Sequence, residues 1–320
     1  MRPSSIAASV LTACIAGTAH GQPGAVDGTP GSAYIVRDGT LLKVDLATMA
    51  LVGRKTFRRG PGPWDNRLAI ARSQYGLTFA ETGRNLVEAG GVPDLMIDAE
   101  GRMVAAYQYF PDEPEEAFNT IATSVSSDAG ESWQAPQVIS IVGLPGRHTF
   151  PCDPDIALLS DGRVRLYFTS DLLDGVGPRT LSAVSADLVR FQWEEGDRFA
   201  DPPRAVLDPS VVRIADRWHY FAPYPGREGV AYHAVSADGL RFERAPEVQT
   251  PGMTMLGNVT AVAGGYRFYG TWPGGIRSAV SEDGYTWRVE QGTRLPGSGD
   301  PGVVRLPDGT FLMVYTAPRR

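Results

Sequence analysis

Residues 236–242 read SADGLRF and residues 281–287 read SEDGYTW, two copies of a box with a serine, an aspartate, a turn and an aromatic residue. Three related copies are SQYGLTF at 73–79, SSDAGESW at 126–133 and SADLVRF at 185–191. The copies recur about every fifty residues, and self-similarity at a period of roughly 20–50 residues is the mark of a repeat architecture.

A second repeated element stands roughly twenty residues after each box. Each copy reads as an apolar strand, a tight Gly or Asp turn and an aromatic-rich strand, which predicts a β-hairpin. The five copies are VPDLMIDAEGRMVAAYQYF from 92, DPDIALLSDGRVRLYFTS from 153, DPSVVRIADRWHYFAP from 208, NVTAVAGGYRFYGTW from 258 and DPGVVRLPDGTFLMVYTAP from 300.

Five boxes and five hairpins predict an all-β fold, a five-bladed β-propeller of four-stranded antiparallel blades. We expect the N-terminal strands to close the ring against the C-terminal hairpin, because closure protects the sheet edges. A linear stack of repeats is the alternative, but neither end of the chain has the polar cap that such a stack needs. Within each blade the hairpin supplies the inner strands, and the box supplies the outer turn in a structural role.

The N-terminal residues predict export. Arg2 precedes a twelve-residue apolar run that is too short to span a membrane, so residues 1–21 are predicted to be a signal peptide. Residues 22–32 are a Gly/Pro linker, and residues 33–320 are assigned to the propeller. The predicted location is secreted or periplasmic, and the alternative is a lipoprotein anchored through Cys14. A net charge of −6 argues against nucleic-acid binding, and we expect a monomer without a membrane span.

Two columns of residues are predicted to line one mouth of the propeller axis. Counting back from the hairpin turns, the first column is Val92, Asp153, Asp208, Leu256 and Asp300, and the second is Asp94, Asp155, Ser210, Asn258 and Gly302. Aspartates gathered in one concave space repel one another and split into acid and base, as glycosidic hydrolysis requires. The candidate catalytic residues are therefore Asp94, Asp153, Asp155, Asp208 and Asp300. The alternative is that each Asp-Pro pair only caps the start of a strand.

Loops at the same mouth carry side chains suited to a sugar. Arginines bind anionic groups in a bidentate manner, and aromatic rings stack on sugar rings. The candidate substrate-binding residues are Arg84, Arg147, His148, Arg204, Tyr224, Arg227, Glu228, Asn258, Trp272 and Arg277. No cofactor motif is present, and a structural calcium near the axis is left open.

Two motifs resemble carbohydrate-active propellers. DPSVVRIADRWHYF at 208–221 resembles the inner-strand signature of five-bladed furanosidases such as glycoside hydrolase family 43, and SSDAGESW resembles the Asp-box of sialidases and other BNR-repeat proteins. The family 43 resemblance implies that Asp208 is the general base, with a second Asp that tunes pKa values and a Glu as the acid. No Glu stands in either column, so Asp155 or Glu228 are the substitutes. Five units, rather than six, and the lack of an Arg-Ile-Pro motif separate the chain from sialidases.

The leading hypothesis is an exported glycosidase that acts through the axial aspartates on a carbohydrate. The alternative is a non-catalytic propeller that binds a carbohydrate or another ligand, which the missing glutamate favours. A protein-interaction scaffold is a third hypothesis, because a propeller fold does not fix a function.

Overall fold

The computed structural model describes residues 32–37, 40–45, 51–56 and 62–319, with side chains from residue 62 onward. The predicted signal peptide, including Cys14, and the predicted linker up to residue 31 lie outside the described residues. Helical structure in the described part consists of two 3-10 turns, Pro63–Asp65 and Glu115–Ala117. That part contains no helix long and apolar enough to cross a membrane.

The first three strands form a small antiparallel sheet of their own. These strands are β1 (Ser32–Arg37), β2 (Thr40–Asp45) and β3 (Leu51–Thr56). The blades use strands from β4 onward, so the assignment of the whole range 33–320 to one propeller domain stays a prediction.

Blades 1 and 2 follow the predicted order, with the innermost strand first. Blade 1 comprises β6 (Gly90–Ile97), β7 (Met103–Tyr109), β8 (Thr120–Ser126) and β9 (Gln137–Val138). Blade 2 comprises β11 (Cys152–Leu158), β12 (Val164–Ser170), β13 (Arg179–Ser185) and β14 (Arg190–Phe199). The short β10 (Ser140–Val142) adds a fifth, parallel strand to the outer edge of blade 2.

Blades 3 and 4 each have an outer strand that is split into two short pieces. Blade 3 comprises β15 (Ser210–Ile214), β16 (Arg217–Pro223), β17 (Val230–Ser236), β18 (Glu243–Arg244) and β19 (Val248–Gln249). Blade 4 comprises β20 (Gly257–Val262), β21 (Gly265–Trp272), β22 (Gly275–Ser281), β23 (Arg288–Val289) and β24 (Leu295–Pro296). In both blades the two pieces pair with the same third strand.

Blade 5 is built from both ends of the described propeller. Its inner strands are β25 (Gly299–Arg305) and β26 (Phe311–Pro318), and its outer strands are β4 (Asn66–Ser73) and β5 (Ala80–Val87). Strand β26 pairs with β4 over eight residues, from Phe311 opposite Ser73 to Pro318 opposite Asn66. Strands from the two ends of the described propeller thus pair within a single sheet. The predicted five-bladed all-β propeller is confirmed.

Apolar side chains fill the interfaces between neighbouring blades. Within the range 62–319, five buried clusters lie one at each interface around the ring. In β26, Leu312 and Val314 face blade 1, whereas Met313 and Tyr315 face blade 4. This alternation follows from the two-residue period of a strand. Because burial of one such side chain contributes roughly 1.5–3 kcal/mol, the stacked blades stabilise one another.

The aromatic residue of each box packs against the preceding blade. Each of the five clusters receives one of them, either within the cluster or packed against it. They are Phe79, Trp133, Phe191, Phe242 and Trp287. The boxes occupy the turns between the third and fourth strands of their blades. The hairpin turns lie at the same end, so the starts of the innermost strands lie at the opposite end, which we call the mouth face.

Candidate active site at the axial mouth

Asp-Pro pairs distort the innermost strands at the mouth face. The register of β11 with β12 shifts within residues 152–155, and that of β25 with β26 shifts within residues 299–302. Asp153 has φ +51° and Asp300 has φ +44°, in the left-handed region that costs free energy for residues other than glycine. Asp208 has φ +54° at the start of blade 3. These register shifts are β-bulges, and a β-bulge redirects the side chain of the residue within it. The bulges therefore set the directions of the carboxyl groups.

Asp153, Asp208 and Asp300 form what we call the upper ring, in which the carboxyl groups repel one another. Asp153 Oδ2 accepts a hydrogen bond from the backbone N–H of Asp208 at 3.3 Å. Burial, and then the negative charges of Asp153 and Asp300, raise the pKa of Asp208 well above its usual range. Burial raises the pKa of Asp153 and of Asp300 to about 6. Within the upper ring, Asp208 is therefore the carboxyl most strongly held in its protonated form.

One polar atom of the upper ring lacks a hydrogen-bond partner among the described residues. Asp208 Oδ1 is buried without a partner, whereas hydrogen bonds from the side chains of Thr169 and Thr316 act to lower the pKa of Asp153 and of Asp300. No cation within residues 62–319 contributes to the pKa of Asp208 or Asp300. Buried polar groups in proteins are nearly always hydrogen-bonded, so Asp208 Oδ1 is an atom of the upper ring with capacity for a further hydrogen bond.

A second polar ring, the lower ring, joins the innermost strands of different blades. Each of its side chains accepts a hydrogen bond from a backbone N–H of the next blade. The three bonds run from Ile156 to Asp94 (2.8 Å), from Val211 to Asp155 (3.1 Å) and from Val303 to Asn258 (2.9 Å). The Asn258 amide also donates to Asp94 at 2.9 Å and so links blade 4 to blade 1 across the axis. Asp94, Asp155 and Asn258 therefore have a structural role, because their hydrogen bonds hold the innermost strands of different blades together.

The lower ring is also closely packed. Burial raises the pKa of Asp94 to about 6, and burial together with the Asp94 charge raises the pKa of Asp155 well above its usual range. In blade 5 the corresponding residue is Gly302, where an added Cβ would lie 2.6 Å from the Pro93 carbonyl oxygen. The innermost strands of blades 5 and 1 therefore approach too closely for a side chain at this position.

The predicted arginines of the strand-entry segments are dispersed. Arg84 lies in the outer strand β5 and contacts Glu131 Oε2 at 2.7 Å, in the box of blade 1. The structure thus places Arg84 on the box side, away from the aspartates. Arg147 and His148 are exposed in the loop that precedes β11, and Arg204 is exposed with a 3.3 Å contact to Asp201.

The predicted aromatic residues at the mouth face are already in contact with arginines. The guanidinium carbon of Arg227 lies 4.8 Å from the ring centroid of Tyr224, and that of Arg277 lies 4.3 Å from Trp272. Both are cation–π distances. Glu228 is exposed next to Arg227 in the same turn. Blades 3 and 4 therefore carry equivalent arginine–aromatic pairs, and in each pair an arginine occupies one face of the ring.

Three polar residues of the second strands were not predicted. Gln108, Thr169 and Thr316 each stand eight positions after the turn residue from which the first column was counted back. Gln108 Oε1 accepts a hydrogen bond from the backbone N–H of Asp153 at 3.3 Å. Because the two strands of a hairpin pair symmetrically about their turn, counting forward as well as back would have found these residues.

No metal centre is evident in the described part of the chain. In that part, no three or more His, Cys, Asp or Glu side chains are grouped to hold a metal ion. The calcium left open by the sequence therefore has no ligand set there.

Comparisons with known proteins support the fold. No protein-family model matches the chain, and no curated protein matches it. A thermostable family-43 glycoside hydrolase superposes with a TM-score of 0.54 at 15% identity, covering 71% of this chain and 88% of that one. An α-L-arabinofuranosidase from Clostridium thermocellum gives 0.55 at 15% identity, with coverages of 71% and 82%. A protein of unknown function from Dyadobacter fermentans gives 0.52 at 14% identity, with coverages of 92% and 93%.

Proposed function

We propose that this protein is a glycoside hydrolase that cleaves a carbohydrate at the axial mouth. The observation that carries the proposal is the upper ring, in which three carboxyls repel one another and the buried Asp208 Oδ1 has no hydrogen-bond partner within residues 62–319. Glycosidic hydrolysis needs a pair of carboxyl groups, one protonated and one ionised, on either side of the bond. The fold shared with family 43 and related hydrolase propellers supports the same chemistry.

We assign the general acid to Asp208. Its pKa is raised more strongly than that of Asp300, and its Oδ1 atom has no hydrogen-bond partner. A neutral carboxyl that is kept protonated can donate its proton to the glycosidic oxygen as the C–O bond breaks. Asp208 thus takes the place of the glutamic acid that is missing from both columns. The family resemblance implied that Asp208 is the general base, and here it is the general acid.

We assign the general base to Asp300 and a tuning role to Asp153. Asp300 belongs to blade 5, which is not adjacent to blade 3, and its charge acts on Asp208. We therefore place the bound sugar between these two carboxyls. Asp300 takes the proton of the water whose oxygen attacks the anomeric carbon. Asp153 lies on the adjacent blade, accepts the backbone N–H of Asp208 at 3.3 Å and raises the pKa of Asp208 through its charge.

The test is a screen of plant, algal and bacterial polysaccharides for reducing-sugar release. Wild type is compared with Asp208→Asn and with Asp238→Asn, a matched change in the box of the same blade. We expect Asp208→Asn to lower kcat by about 10²–10⁴-fold, the usual contribution of a general acid. Asp238→Asn should leave kcat unchanged, because Asp238 lies on the box side.

Two results would contradict the proposal. Unchanged activity in Asp208→Asn would remove Asp208 as the acid. Glycan binding by the wild type without release of sugar would overturn the hydrolase proposal in favour of the non-catalytic alternative.

A further inference from the structure

A cavity opens on the mouth face, at the seam between blades 5 and 1. Its volume is about 350 Å³, at the lower end of the range for small-ligand sites. Strands β5, β7 and β26 end there and β4 begins there, and their ends supply the lining. The polar lining residues are Arg67, Asn85, Glu88, Tyr109, Asp112 and Arg319. We call this space the seam cavity. It is distinct from the upper ring, because it lies outside the innermost strands.

Arg67 is the most unusual group in the seam cavity. It is only 9% exposed, yet within residues 62–319 it forms no ion pair with an acid. Its Nε donates to the Pro318 carbonyl at 3.0 Å and its Nη1 donates to Asn85 Oδ1 at 2.8 Å. Nη2 has no hydrogen-bond partner in that range and is accessible to solvent, on a residue that lines the cavity. Buried charges in proteins are normally paired, and no group within residues 62–319 supplies the anion that would pair with Arg67.

The acids around Arg67 do not supply that anion. Glu88 is held by the Asn85 amide, which donates to Glu88 Oε1 at 2.8 Å and so separates Glu88 from Arg67. Asp112 lies 3.8 Å from Arg319 Nη1, but its side chain is 92% exposed, and an exposed ion pair of this kind is weak. The cavity therefore has two guanidinium groups with capacity to bind one more anionic group.

We propose that the seam cavity binds the carboxylate of an acidic sugar, with Arg67 and Arg319 as its cationic contacts. A guanidinium has donors arranged to meet the two oxygens of a carboxylate. The half-buried Tyr109 presents its hydroxyl and ring to the remainder of a small ligand. Only the sugar part of the proposal rests on the proposed function. The anion part rests on Arg67 and Arg319.

Calorimetric titration of the full chain carrying Asp208→Asn tests the proposal without interference from turnover. The probes are galacturonate, galactose and acetate. We expect galacturonate to bind with a Kd in the millimolar range or tighter, and at least about tenfold more tightly than galactose. Arg67→Gln and Arg319→Gln should each weaken galacturonate binding by about tenfold or more. Arg72→Gln is the matched control, since Arg72 lies in the same strand and contacts Glu131 on the box side.

Arg67→Gln can fail to fold because Arg67 also donates hydrogen bonds to Pro318 and Asn85. In that case Arg319→Gln and Tyr109→Phe test the same cavity. Equal affinity for galacturonate and galactose would overturn the proposal, and so would unchanged binding in Arg319→Gln and Arg67→Gln. Acetate binding as tight as galacturonate would overturn the sugar part. Failure of every polysaccharide in the hydrolysis screen would overturn the proposed function and leave a positive titration standing.

Discussion

The aspartates of the boxes and those of the axial mouth belong to the same repeat but have opposite pKa shifts. The pKa of Asp128 and of Asp238 is lowered to about 2, whereas that of Asp153 and of Asp300 is raised to about 6. The difference lies in the donors around each carboxyl. The box thus provides hydrogen-bond donors for its own aspartate and stabilises the ionised form. The start of the innermost strand does not, so its aspartate favours the protonated form.

Asp238 shows how a box carboxylate is stabilised. Its burial acts to raise the pKa, but hydrogen bonds from the backbone N–H groups of Arg241 and Leu240 and from the Ser236 hydroxyl outweigh burial. These bonds measure 3.0, 2.8 and 2.9 Å. At the mouth no such set of backbone donors meets Asp208, and neighbouring negative charges add to the cost of ionisation. A carboxyl without donors costs stability but can take part in proton transfer.

The largest stability effect that sharpens this comparison is expected for Asp300→Asn. Asp300 is nearly fully buried and its pKa rises from 3.8 to about 6 on folding. The folded state therefore binds the proton more tightly than the unfolded state, and wild-type stability falls as the pH rises from about 4 to about 6. At pH 7.5 the substitution should raise the free energy of unfolding by about 3 kcal/mol, from roughly two pKa units at 1.36 kcal/mol each.

Urea denaturation at about pH 4 and pH 7.5 measures this effect. Near pH 4 and below, the gain should shrink, because Asp300 then becomes neutral in both states. The same variant should lose hydrolysis, a trade of activity for stability. A variant less stable than wild type at pH 7.5 would show that the fold favours the ionised carboxylate, and the comparison would fail at this residue.

A smaller effect of opposite sign is expected in the box. Asp238→Ala removes three hydrogen bonds to an exposed carboxylate, and we expect a loss of about 1–2 kcal/mol in the free energy of unfolding at pH 7. Because the pKa of Asp238 is lowered on folding, its contribution is present above about pH 4 and disappears as the pH falls towards about 2.

Asp238→Asn is the control for the box, since its amide oxygen can still accept the backbone N–H groups. It should recover much of the stability that Asp238→Ala loses, and neither variant should change kcat. If Asp238→Ala were as stable as wild type at pH 7, the boxes would not be structural in the sense argued above.

The sequence predicted the blades because their determinants are local and repeated. A box at 236–242 specifies its own turn through Ser236 and Asp238, and its aromatic residue Phe242 packs on the adjacent repeat. Such features recur at each copy and can be counted. The axial placement of Asp153, Asp208 and Asp300 followed from the same register.

The different roles of the upper ring and the lower ring could not be predicted from the sequence. Both columns place aspartates near the starts of innermost strands, and nothing local distinguishes them. In the lower ring the backbone of the next blade donates to Asp94 and to Asp155. In the upper ring Asp153 accepts such a bond, at 3.3 Å, but within residues 62–319 no backbone donor contributes to the pKa of Asp208 or Asp300.

The sequence predicts Arg84 at the mouth because it precedes a first strand, whereas in the structure Arg84 contacts Glu131 in the box of the next blade. The Arg67 site depends on a contact with Pro318, 251 positions away, that no local pattern encodes.

The smallest expected effect concerns Val92, the blade 1 counterpart of the bulge aspartates. Val92 has φ +46°, close to the +51° of Asp153, although a β-branched residue tolerates the left-handed region poorly. The bulge is thus imposed by the blade geometry and not by the aspartate side chain. Asn tolerates this conformation better, so Val92→Asn should raise the free energy of unfolding by about 1 kcal/mol, measured by urea denaturation at pH 7. Val92→Ile is the control that keeps the β-branch and should give no gain. A destabilised Val92→Asn would mean that the packing of the half-buried valine contributes more to stability than the relief of backbone strain. Blade 1 would then tolerate the bulge because of that packing.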